Sequence, residues 1–391
     1  MSLSNGRKYL AIPGPSVIPD AVLQAMHRAS PNIYEGELHD LTKSLIPDLK
    51  EVAMTAHNVA IYIGNGHAAW EAALSNVLTR GDTVLVLATG RFCIGWGEMA
   101  QSMGAVVQTI DHGMQSPVDL VQVEAALAAD TDGRIKAILA VHVDTSTSVK
   151  NDIAGLRGVI DRVGHPALLM VDCIASLGCD RFEMDAWGVD VMVAACQKGL
   201  MTPAGISFVW FNDKADAARG NCVTRYWDWR PRATAEEYYQ YFDGTAPTHH
   251  LYGLRAALDL IMAEGLDHVF WRHETLARTL WAAFDCWSQG GPVQLNIADP
   301  AARSHAVTSV AIGSPNGARL RHWCEHQCGL TLGIGLGRAP ADAFFRIGHM
   351  GHVNAHMIMG VVGTMQAGLT ALQIPHGAGA LDAAAGVIAA S

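Results

Sequence analysis

Two polar residues close apolar runs, where a side chain is hard to solvate. Lys198 follows the run Val189–Ala195, and Asp172 ends Leu168–Val171, 26 residues upstream. Further back, Gly64-Asn65-Gly66-His67 turns into a helix-like stretch in which Trp70, Leu74, Val77 and Leu78 share one face. A desolvated lysine has a lowered pKa and attacks carbonyl carbon. A buried carboxylate needs a cationic partner. The unpaired N–H groups and dipole of a helix start favour a dianionic phosphate. A Schiff-base lysine, a carboxylate for a pyridinium nitrogen and a phosphate-holding turn are the parts of a pyridoxal 5′-phosphate (PLP) site. The simpler alternatives are a solvated lysine past a strand, an aspartate capping the next turn, and a glycine turn without a ligand.

Arg346 is flanked by bulky apolar residues in Phe344-Phe345-Arg346-Ile347-Gly348-His349. It reads either as a clamp for a substrate carboxylate or as half of a structural ion pair. Gly333-Ile334-Gly335-Leu336-Gly337 lacks the spacing and following helix of a dinucleotide site and reads as a flexible loop. In His322–Cys328 the two cysteines and the two histidines fall on different helix faces, so no metal site is expected.

The elements that must position these groups follow from the hydrophobic pattern. Apolar runs at Thr83–Ala88, Ile135–Val143, Ala167–Val171, Val189–Ala195 and Ile206–Phe211 alternate with amphipathic stretches such as Leu120–Ala128 and Ile153–Val163. That alternation predicts an α/β architecture with a mostly parallel sheet. Asn221 to Thr248 reads as irregular. Leu251–Ala263, Val269–Trp287 and Ala318–Cys328 read as helices, and the last of these joins Thr308–Ile312 and Phe344–Gly348 in a smaller α+β domain. Gly379–Ala390 reads as a further helix. The expected division is an N-terminal arm over 1–20, a large cofactor-binding domain over 21–265 and a small C-terminal domain over 266–391.

Of 391 residues, 50% are hydrophobic and 16% charged, enough for a large core. A net charge of −10 argues against nucleic acid as partner. Neither a basic-then-apolar leader nor a long apolar span is present, so no membrane role is expected. Eight cysteines in a chain this long read as small buried hydrophobes, and the reducing cytoplasm is the expected setting.

Taken together, the chain resembles the class V aminotransferases of PLP fold type I, specifically the serine/alanine–glyoxylate (serine–pyruvate) aminotransferase group. The likeness spans Pro13-Gly14-Pro15, Gly64–His67 with Trp70–Leu74, Asp185–Asp190, Gln197–Met201, Leu251–Arg255 and Arg346–His349. It implies a seven-stranded, mostly parallel sheet between helices, with PLP bound as a Schiff base to Lys198 and Asp172 paired with the pyridine nitrogen. Asn65, Gly66, His67 and Gln197 are implied at the phosphate, Phe92 on the ring and Thr145 near the ring's O3′. Thr245 matches the residue that reaches the partner subunit's phosphate, which implies a homodimer with active sites at the subunit interface. Arg346 matches the carboxylate clamp, and Gly14 and Tyr34 fall on the substrate side.

The sequence departs from the family at Asp144-Thr145-Ser146-Thr147-Ser148, at Phe242 and at Asn32-Ile33-Tyr34-Glu35. His142–Thr145 and His349-Met350-Gly351 are similar instead to pyridoxamine–pyruvate aminotransferase. The expected reaction is ping-pong transfer of an amino group from serine or alanine to a small 2-oxo acid, glyoxylate or pyruvate. The alternatives are a pyridoxamine–pyruvate-type enzyme, a PLP-dependent lyase or desulfurase with Cys328 as the candidate nucleophile, and a non-catalytic binding module.

Overall fold

The computed structural model describes residues 2–391. A seven-stranded sheet runs, in spatial order, Asn58–Gly64, Gly205–Phe211, Val191–Ala195, Leu168–Asp172, Ile135–Val141, Thr83–Ala88 and Val106–Asp111. Gly205–Phe211 is antiparallel to both its neighbours, and every other pairing is parallel. Leu168–Asp172 and Val191–Ala195 are buried at every residue, as strands covered on both faces must be.

The pleat sends alternate residues to opposite cores. Leu169 and Val171 enter one apolar cluster, and Leu168 and Met170 enter the other, which also holds Trp70. Each such buried aliphatic side chain contributes about 1.5–3 kcal/mol. The same alternation turns Asp172 towards the helix Gly66–Val77, which carries Trp70. Asn65, Asp119, Asp152 and Asn354 each cap a helix by accepting backbone N–H groups.

A second sheet orders Tyr9–Ala11, Leu330–Ile334, Phe344–Gly348, Val307–Ala311 and Gln294–Leu295. Its own core includes residues of the long helices Leu266–Ser288 and Ala355–Ala371. The N-terminal strand pairs in parallel with Leu330–Leu332, so the start of the chain is tied to this sheet. After Ile12, Pro13 and Gly14 run across to Lys198.

One reading of the sequence is corrected here. Gly333 and Ile334 are not loop but strand, paired with Arg346 and Phe345. Gly333 is required by packing, since a Cβ there would lie 2.7 Å from Pro13 Cδ. Only Gly335 to Gly337 form the loop. No helix is long and apolar enough to cross a membrane among the described residues.

Candidate active site

Six of the seven sheet strands end at one edge, and the chemistry gathers there, as expected for an open α/β sheet. A cavity of about 280 Å³ is lined by Gly14, Asn65, Gly66, His67, Phe92, Thr145, Asp172, Gln197 and Lys198, together with Trp70. Nine residues singled out from sequence therefore converge, although they span 185 positions of the chain.

Lys198 sits three residues beyond its strand and donates from Nζ to the carbonyl of Pro13. Burial, reinforced by the nearby Arg346 guanidinium, lowers its pKa to about 8. Its amine is thus partly unprotonated near neutrality. Gly14 adopts φ +98°, and a Cβ at that position would collide with the lysine side chain.

Asp172 is 2% exposed. Its Oδ1 accepts from Ile174 N at 2.6 Å and its Oδ2 from the Trp70 indole Nε1 at 2.8 Å. Burial raises its pKa to about 7 despite both bonds. Among the described residues no ion pair holds the carboxylate, Lys198 acting on it only at longer range, and a protonated pyridine nitrogen would supply the missing partner.

At the other end, Asn65 Oδ1 accepts from His67 N at 3.0 Å and Ala68 N at 3.4 Å. The Gly66 N–H has no hydrogen-bond partner among the described residues, and Gly66 lines the cavity. A Cβ on Gly66 would strike the end of the Ile174 side chain, so a larger residue here would have to displace it. Burial and the neighbouring Arg91 hold His67 below its usual pKa. Gln197 Oε1 is buried without a partner beside the cavity. A buried carboxylate without an ion-pair partner and a helix start beside the same cavity fit a ligand with a cationic ring at one end and an anion at the other. PLP has that form.

Arg346 lies behind the cavity lining, 7% exposed. Nε donates to Ile334 O at 2.8 Å and one terminal nitrogen to Thr145 O at 2.7 Å, while the other terminal nitrogen has no partner among the described residues. Among the described residues no structural ion pair holds this guanidinium.

Two expected residues stay apart from the cavity within one chain. Tyr34 is 85% exposed, and Thr245 is exposed on the loop before the helix Thr248–Glu264. Cys328 does not line the cavity, and neither does any other cysteine.

Two residues of the cavity region carry no assigned role in the sequence reading. Trp70 stands there on an apolar helix face and within the stretch of family likeness. Asp144, fully buried, accepts from Phe92 N at 2.8 Å and from Ser146 N at 2.9 Å, anchoring the turn that presents Phe92. Its apolar neighbour Val143 and the flanking hydroxyls were the available signal.

The sequence model described as aminotransferase class-V matches residues 8–350. A serine–glyoxylate aminotransferase of Methylorubrum extorquens is 37% identical over 370 residues, covering 91% of this chain and 90% of that protein. An L-aspartate–glyoxylate aminotransferase of Paracoccus denitrificans is 34% identical, covering 96% and 94%. Among solved structures, pyridoxamine–pyruvate aminotransferase from Mesorhizobium loti superposes over both chains in full with a TM-score of 0.89 at 22% identity, a likeness of fold.

Proposed function

The chain belongs to the class-V aminotransferase family, and from that premise we propose that it transfers the amino group of a small L-amino acid to glyoxylate by a ping-pong reaction at Lys198. It has the fold type I architecture, and PLP is its cofactor. Serine is the first donor to test, supported by the 37% identical serine–glyoxylate relative, with alanine and aspartate next. Pyruvate is the second acceptor.

When bound, PLP supplies an aldehyde that condenses with amines and a ring that delocalises the charge left when the donor's Cα proton departs. The rest falls to this chain's residues. Asp172 would pair with the pyridine nitrogen and favour its protonated form. Gly66, His67, Asn65 and Gln197 would hold the phosphate, and Phe92 would lie against the ring. The free nitrogen of Arg346 takes the donor's α-carboxylate and sets the Cα–H direction. Lys198 Nζ, as a free amine beside the cavity, would move the Cα proton.

The observation that carries this reading is the pairing of a lysine lowered to about 8 with a buried carboxylate raised to about 7 across one cavity. A desulfurase needs a nucleophilic cysteine at the substrate, and none lines this cavity. The homodimer belongs to the same proposal, since exposed Thr245 then reaches the partner's phosphate site.

Initial rates at varied serine and glyoxylate test the proposal. Parallel double-reciprocal lines are expected. Intersecting lines would exclude the ping-pong scheme.

A further inference from the structure

We propose that Trp70 is a positioning residue for the cofactor, fixing one oxygen of Asp172 through its indole N–H while its ring braces His67 and Phe92. The inference rests on the assignment of Asp172 to the pyridine nitrogen. Trp70 is 1% exposed and opens the second turn of the helix whose start is assigned to the phosphate. Its ring meets His67 edge-on at 4.5 Å and Phe92 at 6.3 Å, and it stacks on Trp96 at 6.1 Å with 17° between planes. One indole thus touches the groups assigned to the phosphate, the ring face and the ring nitrogen.

The chemistry of its contact with Asp172 is specific. Oδ1 is already held by Ile174 N, so the Trp70 bond to Oδ2 leaves the carboxylate no freedom to turn about its axis. A neutral donor also stabilises the buried anion without cancelling its charge. A lysine or arginine in that place would pair with Asp172 and leave the pyridinium unpartnered. Indole supplies the hydrogen bond and leaves the negative charge to the cofactor.

The test is a double-mutant cycle read as PLP affinity of the apoprotein, across pH 6 to 9, by titrating the absorbance of bound cofactor. Trp70→Phe keeps a ring and loses the N–H; Asp172→Asn loses the charge. The expected result is about a tenfold or greater weakening from Trp70→Phe, the size of a hydrogen bond to a charged group. That loss should shrink when Asp172 is already Asn, because the indole N–H then no longer meets a charged acceptor. The cavity left by the smaller ring is common to both backgrounds and cancels. Trp70→Met carries the same cycle should the Phe variant not accumulate as folded protein.

Equal loss in both backgrounds, or no loss in either, overturns the role given to Trp70. Wild-type PLP affinity in Asp172→Asn alone overturns the Asp172 assignment, and the inference with it.

Discussion

Arg346 reaches out of the smaller sheet to donate to the carbonyl of Thr145, 2.7 Å away on the large-sheet side of the cavity. Ile334 O fixes its Nε at 2.8 Å, so two backbone carbonyls aim the guanidinium before any substrate arrives. Arg346→Ala should lower kcat/KM for the amino donor about a hundredfold, mostly through KM, as expected for a lost charge-assisted pair. Arg346→Lys keeps charge but cannot span both carbonyls and a carboxylate, so it should recover only part. Steady-state kinetics with serine and glyoxylate check both.

Gly14→Ala should impair capture of PLP. Two effects combine there: a φ of +98° and a collision of the new Cβ with Lys198. Gly36 supplies the control, since its φ is +95° but its surroundings are open. Both substitutions carry backbone strain of about 1–2 kcal/mol, but only Gly14→Ala displaces the amine. Absorbance of bound cofactor should fall in Gly14→Ala and persist in Gly36→Ala.

The rate at which apoprotein captures PLP should rise with pH and level off above about 8. The sign follows from the lysine: burial and Arg346 lower its pKa to about 8, and only the neutral amine attacks the aldehyde. Removing the Arg346 charge should move the midpoint upward. A stopped-flow pH series on wild type and Arg346→Ala gives both midpoints.

Thr245→Ala should weaken PLP binding several-fold without unfolding the chain, because the side chain is exposed and touches nothing in its own cavity. Sedimentation of the wild-type protein should show a dimer. A monomer with full PLP affinity would remove Thr245 from the site.

Part of this site is readable in the residues because central parallel strands leave continuous apolar runs, whereas Gly14, Phe92, Thr145 and Gln197 come with the family resemblance. Asp172 and Lys198 stood out as polar residues closing such runs, and Phe344–Gly348 and Ile153–Val163 have the bounds that periodicity predicts. Val106–Asp111 left no such trace, since an edge strand with Val106 53% exposed has no apolar run to find. Gly333 was misread because its glycine serves packing against Pro13, a contact across 320 residues that no local pattern reports. Trp70 was recognised as buried, but its N–H partner lies 102 residues away. Proposals for Thr245 and Tyr34 came from family likeness alone, and a single chain leaves both outside the cavity.

The most direct test of the central claim is a half-reaction followed by absorbance. PLP-loaded protein is mixed with L-serine, and separately with L-alanine and L-aspartate, with no 2-oxo acid present. The account predicts that at least one donor converts the lysine-bound cofactor to pyridoxamine phosphate, with one equivalent of 2-oxo acid released per site. Glyoxylate should then restore the starting spectrum, and Lys198→Ala should show neither change. Release of ammonia with the cofactor left in its aldehyde form would contradict the account and make the enzyme a lyase.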